Sequence, residues 1–94
     1  MTITTIHSDL ESAPGVGPAV ARALRDIGIH QLQDLHGADP ETMYDKLCLV
    51  RGEYTDRCVL YVFRCAVYFA SNSNHDPELL KWWNWKDRVS QAAE

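Results

Sequence analysis

Positive charge is scarce in this sequence: nine Lys+Arg stand against thirteen Asp+Glu, a net charge of −4 over 94 residues. That deficit excludes a broad basic coat for nucleic acid and any long-range attraction to phosphate. Contact with nucleic acid would have to come from a local device. Cysteine is scarce too, and Cys48, Cys58 and Cys65, an odd number at spacings of ten and seven, make no disulfide framework. The longest apolar stretch, Cys58 to Ala70, is thirteen residues broken by Arg64, short of the roughly 20 that span a bilayer. Met1 to Ser8 is Thr-rich and lacks the apolar centre of a signal peptide. Strand signals are missing beyond the first six residues, where no period-2 run bounded by turn residues occurs. With 46% hydrophobic and 23% charged residues the composition is nonetheless that of a globular chain. The expectation is one soluble, reduced, cytoplasmic all-α domain with no membrane association.

What is present is helical spacing with clear punctuation. Ser8 suits the cap of a short first helix to Ser12, with Asp9 and Glu11 in its first turn. Pro14-Gly15-Val16-Gly17 breaks it, and Pro18 opens a second helix at the one position where a missing N–H costs nothing. Val20, Leu24 and Ile27 then fall on one face with Ala23 beside them, and Gly28-Ile29 reads as a left-handed helix end with a hydrophobic closing contact. A connector helix over Gln31 to His36 buries Leu32 and Leu35. Asp39-Pro40-Glu41 starts a fourth helix, to about Leu49, with Met43, Leu47 and Val50 inward. After the turn at Arg51 to Tyr54, Thr55 is placed to cap a fifth helix, Asp56 to Ser71. That helix is apolar all round except for a seam at Arg57, Tyr61, Arg64, Tyr68 and Ser71, so it is central and mostly buried. Asp76-Pro77-Glu78 repeats the start signal before a last short Trp-rich helix to about Trp85. The layout is five helices plus this appendage: 8–28, then a connector and a second helical pair over 31–71, then 77–86, with tails at 1–6 and 88–94.

The most specific pattern is Leu10-(x)3-Pro14-Gly15-Val16-Gly17-Pro18-(x)2-Ala21-(x)2-Leu24. Two glycines two apart allow positive φ and close approach of another surface, and the helix that follows begins with N–H groups lacking intrahelical partners. Such amides at the positive end of the helix dipole can hold a phosphate without any basic side chain, and they read backbone rather than bases. The pattern resembles the helix-hairpin-helix motif of DNA-repair and recombination proteins. The resemblance implies that the amides of Gly15, Gly17, Ala19 and Val20 face a DNA phosphate. It also implies that the carbonyls of Glu11, Ala13 and Val16 match positions that hold a monovalent cation in some members. The Lys frequent after the second glycine is absent, since Pro18 and Ala19 stand there, and a second hairpin at Val50 to Thr55 would be degenerate, with Gly52 alone. The same turn also serves a purely structural or protein-binding hairpin. A dinucleotide fingerprint is excluded, because no strand precedes Gly15 and no third glycine follows at the required spacing.

Arg22 and Arg25 lie off the apolar face of the second helix, either flanking a bound phosphate or simply solvated, with Asp26 offsetting part of their charge. Arg64, inside its apolar run, is expected to pair with a carboxylate or to cap carbonyls. Trp82, Trp83 and Trp85 with Lys81, Lys86 and Arg88 make the one locally basic segment. Rings among cations suit single-strand stacking or a partner surface, but three Trp in four positions cannot share one face, so at least one packs inward. The cysteines show no metal-ligand spacing with His75, and Cys58 and Cys65, seven apart, read as small buried hydrophobes. No nucleophile–base constellation is present, so neither enzymatic activity nor a cofactor is expected. A base-excision glycosylase, which uses a similar hairpin, needs a second lobe with a catalytic Asp or Lys.

Longer phrases carry a second resemblance. Leu24-Arg25-Asp26-Ile27-Gly28-Ile29, Asp34-Leu35 and Asp39-Pro40-Glu41 resemble small helix-hairpin-helix domains such as those at the N-terminus of recombinases and the C-terminus of a competence regulator. The phrases Asp56-Arg57-Cys58-Val59-Leu60-Tyr61-Val62-Phe63-Arg64-Cys65 and Asp76-Pro77-Glu78-Leu79-Leu80-Lys81-Trp82-Trp83-Asn84-Trp85-Lys86-Asp87 resemble the bacterial pathogenicity-locus (Cdd-type) family. Its members are often labelled mitomycin-resistance proteins. The likeness runs from Leu10 to Asp87, with Gln31 standing where a Thr or Ser cap is usual. It implies a paired helix-hairpin-helix-like all-α domain and, through the label, a response to DNA cross-links. It implies no defined biochemical activity. The residues themselves leave two alternatives: a non-enzymatic module docking on DNA backbone through Pro14 to Val20, or a protein-interaction adapter, in one version a homodimer, using the Trp-rich C-terminal helix or an acidic face.

Overall fold

The structure is a computed structural model that describes residues 9–86; the expected tails and the Ser8 cap lie outside this range. The described residues are 67% helical and contain no strand. Three α-helices form: α1, Pro18–Asp26; α2, Pro40–Arg51; and α3, Arg57–Ser71. Four single 3₁₀ turns accompany them, Asp9–Ser12, Leu32–Leu35, Pro77–Leu80 and Trp82–Trp85. The expectation of five helices is therefore corrected to three. The first and connector segments have four residues each, too few to repay helix nucleation, and they stop as one tight turn.

The caps explain where the α-helices begin and end. Pro18 and Pro40 sit at the first position of α1 and α2, and the Asp39 carboxylate accepts from the Glu41 N–H at 3.1 Å. At the end of α1, Gly28 takes φ +94°, and the Gly28 and Ile29 N–H groups donate to Arg25 O and Leu24 O. That is the two-bond left-handed ending that only glycine adopts at low cost. For α3 the cap is Asp56, whose carboxylate accepts from the Cys58 N–H at 2.9 Å. Thr55, expected in that role, instead has a buried Oγ1 with no hydrogen-bond partner among the described residues, while its carbonyl accepts from the Tyr44 hydroxyl.

Helix α3 is the axis of the fold, packed against α2, the Leu32–Leu35 turn and both C-terminal turns, while α1 packs on α2 and on the Asp9–Ser12 turn. Leu60, Val62, Phe63, Cys65, Ala66 and Val67 of α3 are buried, together with Leu10, Leu24, Leu35, Met43 and Leu47. Two inward expectations fail. Val50 is 55% exposed, because Met43, Tyr44 and Leu47 already fill the α2 contact, and Cys58 is exposed at the first turn of α3.

The C-terminal appendage is two turns with Lys81 extended between them, rather than one helix. In a continuous α-helix the carbonyls of Glu78 and Leu79 would accept from the N–H groups of Trp82 and Trp83. Here Asn84 Nδ2 donates to Glu78 O at 2.7 Å and Trp85 Nε1 donates to Leu79 O at 2.8 Å, so side chains have taken both acceptors. The reward is burial of Trp85, the largest fully buried side chain of the core.

Candidate nucleic-acid interface

The Pro14–Gly17 turn is fixed from below by apolar anchors. Leu10, Ala13 and Val16 are buried, and the Ala13 and Val16 N–H groups donate to Leu10 O and Ala13 O, each at 3.1 Å. One lone pair of the Ala13 carbonyl is thereby engaged within the turn. The two glycines do different work. Gly15 has φ +81°, and a Cβ placed on it would lie 2.8 Å from Trp82 Cδ1 and 3.2 Å from Trp82 Cγ. The surface that approaches Gly15 closely is thus the protein's own indole. Gly17 has φ −95° and ψ −171°, an ordinary extended conformation, and nothing lies within 4 Å of its Cβ position. Its lack of a side chain leaves open space in front of α1.

That space faces a helix end without an internal anion. Gly17 is the N-cap of α1, no side chain caps the helix, no acidic residue occupies its first turn, and the first intrahelical bond is Ala21 N–H to Gly17 O at 2.9 Å. The N–H groups of Ala19 and Val20 have no partner among the described residues. By contrast, α2 and α3 carry the Asp39 and Asp56 carboxylates on their first amides. The Cys58 backbone N–H, with the Cys58 thiol adding to it, holds the Asp56 carboxyl below the usual range against a lesser desolvation.

Ala19, Arg22 and Arg25 follow at three-residue spacing on the exposed side of α1, and helical Cα–Cβ bonds tilt toward the N-terminus, so the Arg22 stem leans to the amide end. Asp26, expected to offset the arginines, is held by Arg51 of α2 at 3.3 Å. The acid that the sequence sets beside Arg22 and Arg25 is therefore shared with another cation. Glu11 lies exposed on the preceding turn.

The Trp segment joins this site through Trp82, half-buried between Gly15 and the core. Trp85 is in the core, so it offers no partner surface. Trp83 is 57% exposed and stands edge-on to Trp82, centroids 5.7 Å apart. Arg64 locks the segment from beneath. Its guanidinium contacts Glu41 Oε2 at 2.6 and 2.8 Å and donates to Trp85 O at 2.8 Å and Lys86 O at 3.4 Å. Both roles expected of Arg64 are filled at once. Among the described residues no three His, Cys, Asp or Glu converge on a metal position, and no helix is long and apolar enough to cross a membrane.

These elements form one unit in a known family. Residues 4–91 match the Cdd1 "Pathogenicity locus" family. The protein belongs to that family. The match extends beyond the Leu10–Asp87 stretch that carries the resemblance in the sequence, and it takes in the Pro14–Gly17 turn, α3 and the Trp turn together. The chain is also 32% identical over 78 residues to the mitomycin resistance protein McrB of Streptomyces lavendulae, an alignment covering 83% of this chain and 70% of that protein. No solved structure matches.

A second surface of this pathogenicity-locus protein was not legible beforehand. At the end of α2 an open groove of about 680 Å³ is lined by Tyr44, Asp45, Cys48, Leu49, Gly52, Glu53 and Tyr54. Leu49 is 82% and Tyr54 94% exposed. The available signal was the run Cys48-Leu49-Val50, since three consecutive apolar residues on one helix cannot all face one core.

Proposed function

We propose that the protein is a small non-enzymatic helix-hairpin-helix module that docks on DNA backbone without sequence preference, in a response to mitomycin-type damage. The carrying observation is that α1 alone among the three α-helices begins without a carboxylate on its first amides, behind a glycine with open space before it. Backbone amides at a helix N-terminus donate to a phosphate oxygen, and a side-chain-free Gly17 lets the phosphate come close. Gly15, Gly17, Ala19 and Val20 would supply the amides, and Arg22 and Arg25 the flanking charge. In this reading α2, the Gly52 turn and α3 are the paired, degenerate hairpin, whose amide end is already filled by Asp56. The curated relative's name, a mitomycin resistance protein, supports the link to damaged DNA. With few phosphates neutralised and net charge −4, binding is weak, on the order of 10⁻⁴–10⁻⁶ M, with a shallow salt slope.

The test is a fluorescence-anisotropy titration of duplex, single-stranded and junction DNA at low salt with wild type and Gly17→Val. The Gly17 backbone is extended and a Cβ placed on it meets nothing within 4 Å, so Gly17→Val is expected to retain the fold while its side chain blocks the approach to the amides. Loss of binding by the variant supports the reading. Absence of binding by wild type below about 1 mM removes the reading, and binding that Gly17→Val leaves unchanged keeps DNA as the target but removes the amide site.

The exposed Leu49 and Tyr54 beside the α2 groove favour a second reading, an adapter for a protein partner. Its homodimeric version predicts a concentration-dependent mass in light scattering that Tyr54→Glu abolishes; a monomer at all concentrations excludes that version.

A further inference from the structure

Trp83 is an exposed ring in an unusual setting. It is pinned edge-on against Trp82, which in turn packs on Gly15 of the Pro14–Gly17 turn. The turn that carries it cannot swing freely, because Trp85 is buried, its Nε1 and Asn84 Nδ2 hold the carbonyls of Leu79 and Glu78, and Arg64 holds its own carbonyl end. The ring is therefore presented in a set orientation, one indole away from the glycine that starts the amide site.

Its surroundings decide what it suits. The sequence neighbours Lys81, Asn84 and Lys86 are exposed and polar or cationic. Among the described residues Lys81 pairs with Glu78 alone, in an exposed contact at 3.2 Å, which exchanges readily for another anion. A protein-interface anchor sits in a contiguous apolar centre depleted of charge. An exposed ring with Lys81 and Lys86 as chain neighbours, joined through Trp82 to the Pro14–Gly17 turn, instead has the parts that single strands use, a π-face for a base and cations for the backbone. A base inside an intact duplex is stacked on both faces and cannot offer itself.

We propose that Trp83 is a stacking platform for an unpaired base next to the phosphate held by the Pro14–Val20 amides, so that the preferred target is DNA with an unstacked base: a single strand, a gap or a bulge. This rests on the DNA-backbone reading above and names its substrate class. Trp82 is the positioning residue that joins the two parts, and Trp83 supplies the discrimination against intact duplex.

The experiment is an anisotropy titration of one labelled duplex, the same duplex with a single-base bulge, and the single strand. Each is run with wild type, Trp83→Ala, Trp83→Phe and Gly17→Val, with circular dichroism confirming that every variant is folded. Wild type is expected to prefer the bulge and the single strand over the duplex by about 5- to 150-fold, the range of one aromatic–base contact. Trp83→Ala should erase that preference without changing duplex affinity, and Trp83→Phe should retain most of it. Tryptophan emission should be quenched by the bulged DNA in wild type and not in Trp83→Ala. Equal affinity of wild type for duplex and bulge, or a preference that survives Trp83→Ala, overturns the platform while loss of all binding in Gly17→Val leaves the amide site standing. If Trp83→Ala erases the preference but Gly17→Val binds normally, the platform stands and the amide site falls. Failure of wild type to bind any of the three overturns both.

Discussion

Replacing Arg64 by methionine removes the guanidinium while keeping an unbranched apolar stem of similar length. Arg64 is 7% exposed and ties three segments together: Glu41 at the start of α2, its own helix α3, and the carbonyls of Trp85 and Lys86. The contact with Glu41 is short and two-pronged, but the Glu41 side chain is 42% exposed, so water recovers much of its loss and this part is worth about 1 kcal/mol. The charged hydrogen bond to the Trp85 carbonyl is buried and contributes about 2 kcal/mol. Together Arg64→Met should cost about 3 kcal/mol, a fall in Tm of about 12–24 °C for a domain of this size. Because the donor to the Trp turn is lost, Trp85 should become accessible before the helices melt, seen as a red shift of tryptophan emission preceding the far-UV transition. Arg64→Lys, which keeps charge but not the planar fork, should recover only part of the stability. A loss below about 0.5 kcal/mol, the scatter of ordinary surface substitutions, would refute the clamp and show that apolar packing alone holds the C-terminal turns.

Gly15→Ala should cost at least 1–2 kcal/mol, since alanine is strained at positive φ and its Cβ would displace the Trp82 ring, whereas Gly17→Ala should stay below about 1 kcal/mol; urea midpoints of the two variants check the contrast. Asp9 Oδ1 accepts from the Leu32 N–H at 2.9 Å, so Asp9→Ala should lower stability by about 1 kcal/mol and speed exchange of the Leu32 amide, with Asp9→Asn retaining most of the protection. Burial pushes the Cys65 thiol from 9.0 up to about 11, so the unfolded chain releases that proton first. Stability should hold below pH 9 and decline as pH rises toward 11, and Cys65→Ala should flatten the early part of the decline. The Tyr44 hydroxyl, raised from 10.0 chiefly by burial and also by Cys48, adds in the same direction at higher pH. A denaturation series across that window reads the slope. In native protein a thiol reagent should label exposed Cys58 and spare Cys65.

Local chemistry determined a good deal of this protein. Proline at the first helical position, aspartate before it and glycine after the last turn act within a few residues, so the starts of α1 and α2, the ending at Gly28 and the centrality of α3 are written in sequence. The pathogenicity-locus family is likewise legible, because its two long phrases occupy consecutive positions. Tertiary structure decided whatever depends on partners distant in the chain. The connector turn lacks a Ser or Thr at Gln31, and it is held instead by the Asp34 carboxylate on the His30 and Gln31 N–H groups and by Asp9, 23 residues away, on Leu32. Helical periodicity put Val50 inward, but the space it would fill is taken by Met43, Tyr44 and Leu47, and it stays at the surface. The Trp segment gave no helix because Asn84 and Trp85 capture the carbonyls that a helix needs, a competition visible only when the ring is seen to be buried. At the candidate site the glycines announced close approach, yet what approaches Gly15 is Trp82, 67 positions along the chain. A sequence specifies backbone freedom residue by residue, while the choice of surface that uses the freedom belongs to the folded core.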